Sequence, residues 1–183
     1  MAKVLVFLAN GFEEIEALTP VDLLRRAGVD VEVVSITDNL NVTGARKINV
    51  VADKIMSEVS FENADMIVLP GGMPGTKNLE ACEELMNRVD SFISLNKFVA
   101  AICAAPTILG HKGILNGKKA CCYPGMQDEL VGAEVSFDEV VVDGNIITSR
   151  GMGTAAAFGL KLVELMTDKP TADNLAKAVV YNI

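Results

Sequence analysis

The apolar positions along the chain predict short strands that alternate with amphipathic helices. Residues 3–9 form a continuous apolar run, which is typical of a parallel strand covered on both faces. Residues 14–26 place Ala17, Val21 and Leu24 at helical spacing. Further strands are predicted at 29–37, 65–69 and 98–102, and a further helix at 83–95. This alternation predicts an α/β sandwich around a mostly parallel sheet.

Turn and cap residues refine these boundaries. The helix at 14–26 is followed by Gly28 as a candidate C-cap, whereas Pro20 is expected to kink or split it. The pair Asp143-Gly144 predicts a hairpin between two β-rich runs. Remaining elements are an irregular hairpin within 38–54, a strand at 118–122, and helices after Pro106, at 153–166 and at 171–180. Residues 1–183 are expected to form one domain.

Composition and charge indicate which classes of protein this chain can belong to. Half of the 183 residues are hydrophobic and 22% are charged, which is a globular balance. The net charge of -8 argues against stable binding to nucleic acid or to anionic membranes. No apolar segment reaches the roughly 20 residues of a membrane span, and the apolar run at the N-terminus is too short for a secretory signal. The sequence therefore predicts a cytoplasmic protein.

The cysteine and histidine content argues against a metal site. Cysteines at positions 82, 103, 121 and 122 include no C-x-x-C pair, and the chain has a single histidine. Cys121 and Cys122 are adjacent, which is a poor geometry for an ordinary disulfide. All four cysteines are expected to be free thiols, and no metal or cofactor is expected.

Three polar or glycine-rich segments follow predicted strands, namely NGFEEIE, LPGGMPG and CAAP. Ligands of open parallel sheets bind beyond the carboxyl ends of the strands, so these segments are expected to converge. Cys103 lies at the turn between a strand and a helix that begins near Pro106. Backbone N–H groups and the positive end of that helix would stabilise a thiolate and lower its pKa. The alternative is a buried, inert cysteine.

The acidic and glycine-rich segments each allow two interpretations. Glu13, Glu14 and Glu16 lie at the start of a helix, where carboxylates complement the helix dipole. We prefer that explanation for two of them and expect the third to face Cys103, with a pKa raised by burial. The segment PGGMPG lacks the Lys-Ser/Thr of a P-loop. Either its backbone N–H groups bind an anion, or its glycines serve a turn that needs positive φ.

Other candidates receive less specific roles. His111 lies about two turns into its helix and is expected to point away from the thiol. Arg46 and Arg150 lie in polar segments, where an exposed loop arginine is the ordinary case and binding of an anionic substrate is the alternative. Packing roles are expected for Cys82, Cys121 and Cys122.

Four motifs resemble the ThiJ/PfpI superfamily, in order along essentially the whole chain: GFEEIEALTPVDLLRRAG, VLPGGMPG, AAICAAPTIL and TSRGMGTA. The chain looks closest to the branch that contains YajL and the parkinsonism-associated protein deglycase. The resemblance implies a flavodoxin-like sandwich with helices on both faces of a mostly parallel sheet. It also implies a cysteine on a strained nucleophile elbow and a homodimer.

The motifs carry roles over to individual residues. Cys103 matches the reactive cysteine of the family, and Glu16 matches the protonated glutamate that hydrogen-bonds its sulfur. Gly72 and Ala104 match the positions whose backbone amides form the oxyanion site. Arg46 resembles a pocket arginine that, in such dimers, approaches the partner subunit's site.

The chain departs from the family pattern at two positions. Ala104 follows the cysteine where protease-like members have histidine, so proteolysis is not expected. Tyr123 stands where many members of this branch have a histidine near the cysteine. A phenol is a poor base near pH 7 but donates a hydrogen bond. The reactive cysteine is expected to be unaffected, whereas the rate and the substrate range depend on Tyr123.

The resemblance implies a cofactor-independent glyoxalase or deglycase. Its substrates would be methylglyoxal, glyoxal or early glycation adducts, attacked by Cys103. The alternative hypothesis is a redox-sensing, chaperone-like stress protein in which the same cysteine is oxidised. A third possibility is a catalytically inert relative whose pocket is filled by Tyr123.

Overall fold

The computed structural model describes residues 2–181 and contains a central sheet of seven strands. The strands are β1 (Lys3–Leu8), β2 (Asp30–Ser35), β3 (Asn41–Thr43), β4 (Asn49–Val51), β5 (Lys54–Ile55), β6 (Met66–Leu69), β7 (Phe98–Ile102), β8 (Lys119–Ala120), β9 (Glu134–Val135), β10 (Val140–Asp143) and β11 (Ile146–Ser149). The central sheet has the order β10-β11-β7-β6-β1-β2-β5 and is parallel except for the β10–β11 hairpin. The remaining strands form the pairs β3–β4 and β8–β9.

Helices cover both faces of this sheet. They are α1 (Glu14–Arg26), α2 (Gly75–Glu80), α3 (Glu83–Ser94), α4 (Pro106–His111), α5 (Ala155–Met166) and α6 (Lys169–Ala178). Side chains alternate along β1: Val4 and Val6 pack with α1, α5 and α6, whereas Leu5 and Phe7 pack with α2, α3 and α4. All four side chains are fully buried, so the continuous apolar run is a strand covered on both faces. The predicted α/β sandwich is confirmed.

Three predicted elements differ in detail from the structure. Helix α1 continues through Pro20 instead of breaking there. The proline removes only one backbone hydrogen bond, and the close packing of α5 against it, at Gly159, stabilises the helix at this point. The strand expected at 118–122 shrinks to β8 and lies outside the central sheet. The backbone N–H of Lys119 donates to the side chain of Asp143, at 2.8 Å, rather than to the adjacent strand β10. The helix predicted at 171–180 begins two residues earlier, at Lys169, because the Asp168 side chain caps its start.

The carboxyl ends of β1, β6 and β7 lie side by side at one edge of the sheet. The loops that follow these strands contact one another there. The backbone N–H of Glu13 donates to the Gly71 carbonyl at 2.9 Å, and that of Gly75 donates to the Gly11 carbonyl at 3.1 Å. The predicted convergence of the loops is therefore confirmed for these segments.

No helix within residues 2–181 is long and apolar enough to cross a bilayer, the longest being α1 with 13 residues.

Candidate active site

Cys103 occupies a sharp turn between β7 and α4. Its φ of 66° lies in the left-handed region, which residues other than glycine rarely adopt. Two hydrogen bonds hold this backbone: Cys103 N–H donates to Ser149 O at 2.9 Å, and Tyr123 N–H donates to Cys103 O at 2.8 Å. Strained backbone of this kind persists where neighbouring structure holds it, and it is common at functional sites. The turn presents a partly buried thiol at the carboxyl end of the sheet.

Glu16 is the acidic residue that faces this thiol. Its side chain is 1% exposed, and its Oε2 accepts a hydrogen bond from the Gly71 N–H at 3.1 Å. The carboxyl also contacts the Cys103 thiol and the Met152 amide. Burial raises the pKa of Glu16 to about 7, although the hydrogen bonds from Cys103, Gly71 and Met152 oppose the rise. The sequence-based prediction of one inward-facing glutamate with a raised pKa agrees with this geometry.

The pKa of Cys103 moves in the direction opposite to the sequence-based prediction. Burial raises it to about 12, and the charge of Glu16 adds to the rise, whereas the amides of Ala104 and Gly72 lower it. Because a buried site disfavours two adjacent negative charges, the pair retains at least one proton after Glu16 ionises. When Glu16 holds that proton, its repulsion disappears and its carboxyl can donate to the sulfur. A thiolate at Cys103 therefore depends on a protonated Glu16.

Two backbone amides point toward the sulfur, those of Gly72 and Ala104. Gly72 has a φ of 93°, and a Cβ there would lie 2.7 Å from the Gly11 carbonyl oxygen, so both the conformation and the space require glycine. A Cβ at Gly71 would lie 2.6 Å from the Cys103 Cβ. The two glycines thus bring the backbone close to the thiol, where its amides can stabilise an oxyanion.

A cavity of about 400 Å3 opens beside the thiol. Its lining consists of Glu13, Glu16, Arg46, Gly72, Met73, Cys103, Ala104, Tyr123, Met126 and Met152. All six site residues expected from the sequence therefore meet at one cavity. Tyr123 is 51% exposed, so it stands at the rim and does not fill the pocket. Arg46 lies at the cavity of its own chain.

Three methionines of the cavity wall and one further acid were not predicted from the sequence. Met126 and Met152 stand in segments singled out for other reasons, CCYPGM and TSRGMGTA, and Met73 lies inside PGGMPG. Their thioethers give the wall an apolar character that accommodates varied ligand shapes. Glu13 lines the cavity and also caps α1, because its carboxyl accepts from the Glu16 N–H at 2.8 Å.

Glu14 lies in the first turn of α1, where it complements the helix dipole as predicted, but it also has a second role. Its side chain is 4% exposed, and its Oε1 accepts a hydrogen bond from the Arg46 N–H at 2.7 Å. Its Oε2 is buried without a hydrogen-bond partner among the described residues. Glu14 therefore holds the turn that carries Arg46, a role that sequence reasoning missed.

The remaining candidates lie away from the thiol or serve packing. His111 bridges Glu80 and Glu129 at 2.6 and 2.8 Å, as expected of a structural or surface residue. The Arg150 guanidinium donates to the Phe137 carbonyl at 3.3 Å. Within residues 2–181, no group of three or more His, Cys, Asp or Glu side chains is arranged to hold a metal ion. Three larger surface cavities in the described part of the chain, of about 430, 530 and 680 Å3, contain none of the Cys103 site residues.

Known proteins resemble this chain in both sequence and structure. The model of the DJ-1/PfpI family matches residues 2–165. Protein DJ-1 homolog A of Arabidopsis thaliana is 40% identical over 97% of this chain. The matched regions make up 46% and 41% of the two Arabidopsis thaliana DJ-1 homologs, so this chain spans less than half of their length.

Relatives of similar length match as well. A deglycase of Pyrococcus horikoshii is 34% identical over 166 residues, which are 90% of this chain and 99% of that protein. The structure of oxidised DJ-1 from Toxoplasma gondii is 38% identical, with a TM-score of 0.95 over the full length of both chains. Sequence, fold and family model agree from β1 through α5, and on this basis the chain belongs to the DJ-1/PfpI family.

Proposed function

We propose that the chain is a cofactor-independent glyoxalase or deglycase. Its substrates are methylglyoxal, glyoxal or early glycation adducts, and its nucleophile is Cys103. The observation that carries the proposal is the buried carboxyl of Glu16, which faces the Cys103 thiol beside the amides of Gly72 and Ala104. The name of the Pyrococcus horikoshii relative, a deglycase, supports the reaction class. Proteolysis is not proposed, because Ala104 supplies no base next to the thiol.

The first step forms a bond between Cys103 Sγ and the aldehyde carbon of methylglyoxal. The thiol proton passes to the Glu16 carboxylate and from there to the former carbonyl oxygen, which gives a hemithioacetal. While that oxygen is negatively charged, the amides of Gly72 and Ala104 donate hydrogen bonds to it. A pKa of about 7 allows Glu16 to accept and return a proton near neutral pH.

The second step rearranges the hemithioacetal. Glu16 removes the proton from C1 and returns it to C2 through an enediol, so that a thioester of lactic acid forms. Water then cleaves the carbon–sulfur bond, which releases lactate and restores the Cys103 thiol. Methylglyoxal and one water together give lactic acid, so the scheme requires no external oxidant or reductant. The exposed phenol of Tyr123 donates a hydrogen bond to a substrate oxygen at the rim.

The decisive experiment measures lactate formed from methylglyoxal without glutathione. The native chain is expected to form lactate, and Cys103→Ala is expected to form none while keeping the native circular dichroism spectrum. Cys82→Ala is the matched control, because Cys82 is a partly buried thiol at the start of α3, outside the cavity. Lactate production by folded Cys103→Ala would overturn the mechanism.

A second candidate function is redox sensing with a chaperone-like output. The same thiol lies between Glu16 and two amides, which can donate hydrogen bonds to the oxygens of a sulfinic acid and so stabilise it. The solved structure of the Toxoplasma gondii relative is that of an oxidised DJ-1. Mass spectrometry after mild peroxide treatment tests this candidate. Failure of the Cys103 peptide to gain two oxygen atoms would count against it.

We also propose that the chain forms a homodimer, as the family resemblance implies. Apolar side chains are exposed at the start of α1 and on the β3–β4 hairpin, including Ile15 at 48%, Ile48 at 53% and Val51 at 67%. Burial of these side chains against a second copy would remove them from water. Light scattering that reports a monomer at micromolar concentration would contradict this proposal.

A further inference from the structure

Arg46 is a cation at the reactive cavity. Arg25, Arg26 and Arg88 each form an ion pair with a carboxylate. The guanidinium of Arg46 forms no ion pair with any residue from 2 to 181, although it shares the cavity with Glu13 and Glu16. In a chain with a net charge of -8, such an arginine is available to an anionic ligand.

The turn that carries Arg46 is fixed by Glu14. The Glu14 carboxyl accepts the Arg46 N–H at 2.7 Å, and it lies directly against Gly44. A Cβ at Gly44 would overlap the Glu14 carboxyl and lie 2.7 Å from its Cγ, so the turn closes over the carboxyl only with glycine at this position. The second carboxyl oxygen of Glu14 is buried without a partner in the described part of the chain. The Glu14 carboxyl is therefore both packed against the turn and hydrogen-bonded to it.

The same turn is attached to the segment that carries the catalytic glutamate. The N–H of Ala45 donates to the Phe12 carbonyl at 2.7 Å, and the N–H of Gly11 donates to the Thr43 carbonyl at 2.8 Å. Lys47, which follows Arg46, has a φ of 66° and closes the turn with a hydrogen bond to the Gly44 carbonyl at 3.0 Å. Arg46 is therefore placed relative to Glu16 by one continuous set of contacts.

We propose that Glu14 is a positioning residue for Arg46, and that Arg46 held in this way binds a carboxylate on the substrate. The inference rests on the proposed function and specifies its substrate class: small adducts of a dicarbonyl with an amine or thiol that carries a carboxylate. A cavity of about 400 Å3 suits such a small adduct. In the thiol case, the bond from the adduct carbon to Cys103 Sγ forms as its bond to the departing thiol breaks. The departing thiol leaves with the Cys103 proton.

Two hemithioacetals of methylglyoxal that differ by one charge test this proposal. One is formed with N-acetylcysteine, which carries a carboxylate, and the other with N-acetylcysteine amide, which is neutral. The native chain is expected to show a KM about tenfold lower for the carboxylate adduct, with similar kcat. The ratio of the two KM values is expected to fall from about ten to about one in Arg46→Gln and in Glu14→Ala.

The control variants separate positioning from loss of structure. Glu14→Gln retains an oxygen that can accept the Arg46 N–H, so it is expected to keep the preference. Glu32→Ala removes a partly buried carboxyl that binds Lys3 and Lys54 outside the cavity, and this variant is also expected to keep the preference. A purely structural role for Glu14 would lower the turnover of both adducts together and leave the ratio unchanged. Gly44→Ala disturbs the same turn, and it replaces Glu14→Ala if that variant does not fold.

The outcomes distinguish this inference from the function on which it rests. Turnover of both adducts and of free methylglyoxal, without any preference in the native chain, would overturn the inference alone. A preference that persists in folded Glu14→Ala would overturn the positioning role. Failure of the native chain to form lactate from free methylglyoxal or from either adduct would overturn both proposals.

Discussion

The buried carboxyl of Glu16 makes folding stability depend on pH, and Glu16→Gln isolates that dependence. Glutamine keeps the length of the side chain and an oxygen that accepts the Gly71 N–H, but it does not ionise. Burial raises the pKa of Glu16 from its ordinary value of 4.5 to about 7. The native carboxyl therefore holds its proton at pH values where the unfolded chain has released it.

The sign and size of the effect follow from linkage. The pKa of Glu16 is higher in the native chain than in the unfolded chain. The contribution of this carboxyl to the free energy of unfolding is therefore largest below pH 4.5, falls as the pH rises toward 7, and changes no further above pH 7. At about 1.4 kcal/mol per pH unit between the two pKa values, the total loss is about 3 kcal/mol. About 2 kcal/mol of this loss falls between pH 5.5 and pH 8. Cys103, with a pKa of about 12, titrates outside this window.

Urea unfolding followed by circular dichroism measures the effect. The free energies of unfolding of the native chain and Glu16→Gln are compared at pH 5.5 and pH 8, which avoids precipitation near the isoelectric point of 4.7. Groups common to both proteins, including His111, cancel in the difference. We expect the native chain to lose about 2 kcal/mol relative to Glu16→Gln. A difference that stays constant between the two pH values would refute the claim that Glu16 is held neutral by burial.

Two further predictions concern the site glycines and the single histidine. In Gly71→Ala, the new Cβ would lie 2.5 Å from Glu16 Oε2, so we expect roughly 1–3 kcal/mol of destabilisation in urea unfolding and a loss of lactate formation. Gly153→Ala, where a Cβ meets nothing within 4 Å, is the control, and equal effects of both changes would contradict the steric argument. For His111, hydrogen bonds to Glu129 and Glu80 raise the pKa above 6.5, so its stabilising contribution is present below pH 6.5 and is lost as pH rises through the raised pKa. Because the chain has one histidine, a proton NMR titration reads its midpoint directly, and a midpoint at or below 6.5 would refute this prediction.

The parts of the fold that were predictable are those with local signals. The limits of α1 were correct because acidic residues mark its start and Arg25 and Arg26 mark its end. The hairpin predicted at Asp143-Gly144 was correct, although its two turn residues are Gly144, with a φ of 61°, and Asn145, because Asp143 still pairs with Ile146 at the end of β10. The strand at 118–122 was overextended because a short apolar run looks the same whether it pairs centrally or at the periphery.

The site was predictable where motif and topology agreed, and unpredictable where burial decided the chemistry. Cys103 and Glu16 stand in segments that follow adjacent strands, so parallel topology brings them together. The pKa of Cys103 was predicted in the wrong direction because the amides were visible in the sequence pattern, whereas the desolvation of the thiol was not. The contact of Glu14 with the Arg46 turn was missed because a dipole-complementing acid and a buried acid look alike until Gly44, distant in sequence, closes over one of them.

The shared proton also determines how the two candidate functions relate to each other. Addition of Cys103 to a carbonyl moves the thiol proton to an oxygen and leaves the net charge of the pair unchanged, so Glu16 can repeat the cycle. Oxidation to a sulfinic acid instead places a lasting negative charge beside the buried Glu16 carboxyl, which must then stay protonated. Oxidation therefore removes the nucleophile and the base together. The two functions are alternative states of one thiol, and we expect lactate formation to fall in direct proportion to the fraction of Cys103 that mass spectrometry finds oxidised.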